Sequence, residues 1–370
     1  MNIMSSPRTV EVTITGECNL RCKYCCFFTS TNDVGQDLST EEWLKFFDEL
    51  GQAAVMEISF MGGEPFLRGD LKELINGVIS NRMRFRIASN GTLISEEMAK
   101  FLASVSHRCN GIQISIDSAT SEIHDLYRGK NKFSKAVESI KILKEYNVPV
   151  FVRVTINKSN VKELETIAHF LLEEMGLKNF STNSVSPIGL GQRNAKLFEL
   201  SIEEQSLAMK TFLKLNKKYP GRIQALAGPK FSLENWSAME QSRKGEKSLT
   251  LKQGGYLGSC GNAWQALVVR SDGVMIPCGL LAHVELGRIN EDNLKEVWQD
   301  HLKLQKLRKR FTIPLSEFEY CRGCDYINFC RGGSCPALSL ERMGCDDHPI
   351  PDACFKRFLL QGGQLPMDGN

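Results

Sequence analysis

The 370-residue sequence has no excess of charge of either sign, no long apolar run and no secretion signal. Its 46 Lys+Arg stand against 43 Asp+Glu, a net charge of +3. A balance this even indicates neither a nucleic-acid groove nor an anionic membrane surface as partner. No stretch approaches the roughly 18 apolar residues of a membrane span. The N-terminus, MNIMSSPRTVEV, lacks the basic n-region and apolar h-region of a signal peptide. These absences predict a cytoplasmic protein that neither crosses a membrane nor binds nucleic acid. There is also no internal repeat and no low-complexity tract. With 42% hydrophobic residues, the chain can bury one large domain of about 250 residues and a smaller one.

What is abundant is cysteine, with 13 residues. A reducing cytosol does not sustain a disulfide framework, and a chain this long does not need one, so metal or redox chemistry is the first reading. Four cysteines lie between positions 18 and 26, one stands alone at 109, and eight lie between 260 and 354. Two groups of ligands in two regions predict two chemical modules.

From residue 9 to about 187 short β-branched runs alternate with amphipathic stretches, the pattern of βα units and a parallel sheet. The expected strands are Thr9 to Thr15, Met56 to Met61, Arg84 to Ser89, Gly111 to Asp117, Pro149 to Ile156 and Asn179 to Val185. Expected helices are Ser39 to Leu50, Leu71 to Ser80, Ser95 to Ser104, Phe133 to Tyr146, Val161 to Met175 and Ser201 to Asn216. The expected fold class is α/β, a partial (β/α)6 TIM-like barrel over residues 1–220. The polar, Gly-rich segment 221–258 reads as a bridge. Residues 259–370 then read as a small cysteine-rich domain. It should hold a β-hairpin, Trp264 to Arg270 and Gly273 to Cys278 around Ser271-Asp272, and a short helix Asn293 to His301. Folds of this class place their chemistry in loops at the C-terminal ends of the strands.

Directly after the first strand comes Cys18-Asn-Leu-Arg-Cys22-Lys-Tyr-Cys25-Cys26. Thiolates are the ligands preferred by iron–sulfur clusters and zinc, and three within eight residues can face one centre if the loop curls. Zinc would want a fourth ligand close by. This CxxxCxxC, with an aromatic before its last cysteine, resembles the radical S-adenosylmethionine (SAM) superfamily. The resemblance implies that Cys18, Cys22 and Cys25 hold a [4Fe-4S] cluster whose open iron chelates SAM. Electron transfer into SAM then yields a 5′-deoxyadenosyl radical. Met61-Gly62-Gly63-Glu64-Pro65, ending the second strand, looks like the family's GGEP motif. It implies that Gly62, Gly63 and Glu64 approach the SAM ammonium group, as close-packing glycines and an anion suit it. By the same resemblance Asn90, Ser115 and Arg153, at or near the ends of later strands, are expected SAM contacts. Read by itself, Arg153 is instead a barrel-interior charge paired with Asp117. Cys26 and Cys109 read as ordinary small hydrophobes, and Tyr24 as packing against the cluster.

The later cysteines run Cys260, Gly273-x4-Cys278, Cys321-x2-Cys324-x5-Cys330-x4-Cys335, Cys345 and Cys354. This resembles the SPASM extension, whose seven-cysteine pattern supports two auxiliary [4Fe-4S] clusters. Carried over, Cys260, Cys278 and Cys335 serve the inner cluster, and Cys321, Cys324, Cys330 and Cys354 the outer one. Two departures stand out: the spacing from Cys330 to Cys335 is one residue longer than usual, and no cysteine precedes Cys260 between Lys252 and Ser259. Either the inner cluster keeps an open iron or Cys345 fills the gap. A zinc-ribbon-like CxxC pair that staples the C-terminus is the plainer alternative.

Enzymes resembling this one mostly modify ribosomally made peptides or proteins, by crosslinking, epimerisation or related chemistry. The resemblance therefore implies a peptide substrate, an external electron donor such as flavodoxin or ferredoxin, and a separate leader-binding protein if a leader is recognised, since only about eight residues precede the first strand. Sulfatase-maturing relatives use an aspartate where this chain has Gln224-Ala-Leu-Ala-Gly-Pro-Lys-Phe-Ser-Leu, which argues against formylglycine formation. Two other classes stay open: action on a small molecule, such as a tetrapyrrole side chain or an aminoglycoside carbon, and a non-catalytic iron–sulfur electron-transfer protein. The intact first motif with GGEP argues against the latter.

Overall fold

The computed structural model describes residues 3–28, 36–246 and 254–366. All six expected strands are present: β1 (Thr9–Thr13), β2 (Glu57–Met61), β3 (Arg84–Ser89), β4 (Cys109–Ser115), β5 (Val150–Ile156) and β6 (Phe180–Ser184), each parallel to the next. Strand β4 begins and ends two residues earlier than the sequence pattern places it, because Cys109 already pairs with Phe85.

Among the described residues the helices covering the outer face include α1 (Thr40–Gln52), α2 (Leu71–Ser80), α3 (Glu96–Ser104), α4 (Ser121–Arg128), α5 (Lys132–Glu145) and α6 (Leu164–His169). The helix expected over Ser201–Asn216 is present as Ile202–Lys218, which buries Ala208, Met209, Phe212 and Leu215 in the same core. In α1, Ser39 and Glu42 form a reciprocal capping box, and Trp43, Phe46, Phe47 and Leu50 make one buried stripe. That stripe meets Val10 and Val12 of β1 and Phe60 of β2, all fully buried in the main core. Each such side chain contributes about 1.5–3 kcal/mol of burial. The helix expected over Val161–Met175 is α6 continued by a wider π turn over Phe170–Glu174. Helix α4 falls in a stretch the periodicity left unassigned.

The sheet extends beyond six strands at both edges. On one side β7 (Ile223–Ala225) pairs parallel with β6. On the other, β8 (Ala266–Val269) pairs parallel with β1 and antiparallel with β9 (Val274–Ile276), which β10 (Gly287–Arg288) follows. The hairpin expected in the cysteine-rich part is thus the eighth parallel strand and its return, and the order β10-β9-β8-β1-β2-β3-β4-β5-β6-β7 does not close. Segment 221–258 is not a plain bridge, because it supplies β7 and the helix Pro229–Arg243. Trp236 of that helix stacks on Phe355 and Phe358, with ring centroids 5.3 and 4.9 Å away. The expected boundaries at 220 and 258 fall inside one sheet and one core. Among the described residues no helix is long and apolar enough to cross a membrane.

Val10 and Val12 face the helices, so Glu11 between them faces the other side of the sheet. Glu11 on β1 lies in the electrostatic field of Arg86 on β3 and Arg153 on β5. Strands four places apart bring charges together only if the sheet curls around them. The enclosed face is a polar lumen, in which Glu11, Ser59 and Arg86 share one register level and Ser115, Arg153, Ser181 and Gln224 another.

Candidate active site and auxiliary cysteine sites

The loop bearing Cys18, Cys22 and Cys25 leaves the C-terminal end of β1, and all three are free thiols. Its path is fixed from several sides. The Cys25 amide donates to the Cys22 carbonyl at 3.1 Å, and Lys23 N donates to Tyr127 O at 3.0 Å. Leu190 N donates to Cys25 O at 3.0 Å. The Asn194 amide donates to Lys23 O at 2.7 Å. Burial pushes the Cys22 thiol up to about 11; Arg128 offsets part of this, while Cys25, Asp117 and Cys18 add to it. Three thiols that act on one another in this way form one soft donor set. Leu20 N already donates to Cys18 Sγ at 3.4 Å, the kind of amide contact that stabilises ligating sulfur.

The end of β2 packs directly on this loop. Gly63 N donates to Thr15 O at 2.9 Å and Glu64 N to Glu17 O at 2.8 Å. A side chain at Gly63 would run into the Glu17 carbonyl, and one at Gly62, whose φ is +146°, into the Thr15 carbonyl. The Glu64 carboxylate is wholly buried. It accepts from Ser89 Oγ at 2.8 Å, Asn90 N at 2.8 Å and Phe66 N at 3.2 Å. Burial nonetheless raises its pKa, with those three bonds opposing the rise. Asn90 closes the circuit, its amide donating to Asn19 Oδ1 at 2.9 Å and lying 3.9 Å from Cys18 Sγ. Gly62, Gly63, Glu64 and Asn90 therefore brace the cysteine loop.

Ser115 and Arg153 are direct register partners at the lumen face of β4 and β5. Arg153 Nε reaches Ser181 Oγ at 3.5 Å, and burial lowers the guanidinium pKa while Glu11 counteracts. The pairing of Arg153 with Asp117 that its position in the sequence allowed is not made. Asp117 belongs to Arg128, whose Nε donates to it at 2.6 Å, because Asp117 lies past the end of β4, beneath α4. The Tyr24 hydroxyl donates to the same carboxylate. Thr155 N donates to it at 3.0 Å. Burial opposes ionisation of Asp117, but Arg128, His124 and Tyr24 together hold its pKa below the usual range. Tyr24 thus ties the cysteine loop to a buried ion pair. Arg128 and His124 escaped the sequence reading; the signal available was His124, Tyr127 and Arg128 at helical spacing on one face. Cys109 is buried in the core, whereas Cys26 is exposed and is no core residue.

The later cysteines gather in two sets. Cys278 feels Cys335 and Cys260, and burial pushes its thiol up to about 12. Cys321 feels Cys330, Cys354 and Cys324. Amides donate to Cys278 Sγ from Leu280 at 3.4 Å, to Cys330 Sγ from Gly332 at 3.2 Å and to Cys354 Sγ from Arg357 at 3.4 Å. Beside Cys335 lies Arg310, 1% exposed, with Nη1 and Nη2 buried and without an acceptor among the described residues. An anionic thiolate-ligated cluster is the partner such a guanidinium lacks, so both sets fit iron–sulfur clusters. Cys345 does not join the inner set. Cys335 stands just before the helix Pro336–Met343 and Cys345 just after it, and Cys345 is not among the groups that act on Cys278 or Cys335, whereas Cys260 acts on both.

The chain carries a radical SAM superfamily domain over residues 12–171 and an iron-sulfur cluster-binding SPASM domain over residues 260–325, and is a radical SAM protein with a SPASM extension. Such domains bind [4Fe-4S] clusters and SAM. The chain is 28% identical over 352 residues to an AdoMet-dependent heme synthase of Methanosarcina barkeri, covering 92% of this chain and 94% of that protein. It is 26% identical over 349 residues to a PqqA peptide cyclase of Granulibacter bethesdensis, covering 92% and 86%. Among solved structures, Streptococcus suis SuiB bound to its precursor peptide SuiA superposes with a TM-score of 0.72 at 16% identity, over 95% of this chain and 77% of that one.

Proposed function

We propose that this enzyme modifies a peptide by abstracting hydrogen from it. When bound, the cluster at Cys18, Cys22 and Cys25 and its SAM supply the radical chemistry. The chain's own residues hold and enclose the reactants. Glu64, Gly62, Gly63 and Asn90 fix the loop. Ser115 and Arg153 hold the SAM carboxylate, for which a guanidinium fork and a hydroxyl in register are suited. Glu64 is the buried negative charge complementary to its ammonium.

The polar lumen carries the choice of substrate. A tetrapyrrole calls for a broad apolar pocket, whereas the inward positions here include Glu11, Ser59, Arg86, Gln113, Ser115 and Ser181. Backbone amides and carbonyls of an extended peptide match such a lining. SuiB binds a precursor peptide and PqqA cyclase acts on one, which supports the same reading. A tetrapyrrole substrate is the second reading, favoured by the similarity to a heme synthase over 94% of its length.

The test is anaerobic turnover with dithionite and SAM, offering in parallel short peptides encoded beside the gene and iron-coproporphyrin III. Substrate-dependent 5′-deoxyadenosine release with a mass change in a peptide is expected. Acceleration by the porphyrin alone would reverse the assignment. Cys22→Ala should abolish 5′-deoxyadenosine formation; release equal to wild type would refute the cluster assignment itself.

A further inference from the structure

Cys345, set apart from both auxiliary sets, has partners of its own. Its Sγ lies 2.9 Å from His348 Nδ1, and the same nitrogen lies 3.1 Å from Asp347 Oδ1. The three ligand atoms all fall within 4.8 Å of one another. From this convergence we infer a mononuclear divalent-cation site, of the zinc class, made by Cys345, Asp347 and His348 and separate from the iron–sulfur sites.

The geometry distinguishes this from a nucleophile relay. A relay needs the thiol on one ring nitrogen and the carboxylate on the other, so that a proton passes through the ring. Here both groups address Nδ1, which holds at most one proton and cannot both accept from the thiol and donate to the carboxylate. A cation at the common point satisfies thiolate, imidazole and carboxylate at once. Tetrahedral zinc with bonds of about 2.0–2.3 Å places its ligands roughly 3.3–3.7 Å apart, so the sulfur–nitrogen and nitrogen–oxygen separations of 2.9 and 3.1 Å open by less than about 1 Å to take it. Sulfur, nitrogen and oxygen together suit a borderline cation better than magnesium or calcium.

The site is built rather than incidental. Ser339, wholly buried in the preceding helix, has its Oγ 2.8 Å from Cys345 O and 2.7 Å from His348 O, so that its one hydroxyl proton serves both carbonyls, and it accepts from His348 N at 3.1 Å. Gly344, at φ +74°, ends the helix and turns the chain back toward it. The Phe318 ring lies edge-on to His348 at 4.9 Å. The nearby cations are Lys306, 2.8 Å from Asp346 and 3.7 Å from Asp347, and Arg310, which feels Asp346 first and then Cys335, Asp347 and Cys345. A dication bound by Cys345, His348 and Asp347 takes the Asp347 carboxylate from the longer of the two Lys306 contacts. A cavity of ≈ 350 Å³, lined in part by His283, Lys303, Lys306 and Cys345, opens beside the site. It leaves room for a water or small ligand in the fourth position, as in open zinc sites.

The test uses the full chain, reconstituted anaerobically with iron and sulfide, equilibrated with zinc sulfate, desalted and assayed for both metals. About one zinc per chain is expected beyond the iron. It should be lost in His348→Ala and in Asp347→Asn with iron content unchanged. Zinc affinity should fall by more than the 10- to 100-fold that loss of an outer-shell partner costs. Asp347→Asn preserves shape, so retained iron alongside lost zinc separates loss of the site from misfolding. Absence of zinc from wild type overturns the inference, and so does zinc that stays in both variants, since it would then sit on cluster cysteines.

Discussion

His124 is 1% exposed and its Nδ1 accepts the Asp117 backbone amide at 3.2 Å, a contact that only the neutral ring can make. Burial lowers its pKa to about 4, against an attractive contribution from Asp117. The unfolded chain therefore takes up a proton near pH 6.5 that the native state refuses. The stability this group contributes is complete above about 6.5 and is lost as pH falls toward 4. Between about pH 7.5 and pH 5 the loss is ~2 kcal/mol. His124→Gln keeps an acceptor without the titration, so its urea midpoint should vary less between those pH values than wild type's; an equal dependence would place the titration elsewhere. The neighbouring ion pair behaves differently, because Arg128 and Asp117 stay charged throughout that range. Asp117→Asn leaves the guanidinium buried without its counter-charge, at a cost of about 3–5 kcal/mol. Denaturant titration of the variant measures it.

At the scale of elements, the strands and the first helices were legible because their side chains answer to a period. Val10 and Val12 alternate with Thr9, Glu11 and Thr13, and Ser39 with Glu42 announces the start of α1. Ser39→Ala should destabilise the fold by ~1 kcal/mol without touching the site, read as a shifted melting temperature with SAM cleavage preserved. The cysteine loop was legible for a different reason, since its spacing alone specifies three donors on one curl. Other elements carry no comparable local signal. Strand β7 has three residues, and the helix Pro229–Arg243 owes its burial to Phe355 and Phe358, far along the chain. The partner of Asp117 depended on α4, and the place of Cys345 on the turn at Gly344 that follows the helix Pro336–Met343. The role of Gly63 was visible as a motif, but its physical content is the contact between β2 and the loop. Gly63→Ala must push the Glu17 carbonyl aside and with it Cys18. A displacement near 1 Å at a reacting centre costs about 100-fold in rate. Anaerobic 5′-deoxyadenosine release should fall by that order while the far-ultraviolet circular dichroism stays native.

At the scale of the whole molecule, the two chemical modules share one sheet and one core cluster. Strand β8 covers the edge of β1, the strand from which the SAM-site loop departs. The Trp298 indole, wholly buried, donates to Met4 O at 3.0 Å, and Trp298, Phe355 and Phe358 lie in the same core as Trp43 and Phe60. The full chain should hold about twelve irons in three clusters, whereas four irons with zinc would mean that the later cysteines form a zinc staple instead. A chain ending at residue 258 contains every residue of the first site, yet it bares the β1 edge and the core face that Trp298, Phe355 and Phe358 cover. An unpaired edge next to exposed apolar surface favours aggregation. If the core is continuous, this fragment should recover neither a cooperative thermal transition nor about four irons after reconstitution. If it folds, holds its iron and cleaves SAM, the barrel is autonomous and the pairing of β8 with β1 is a docking contact between domains.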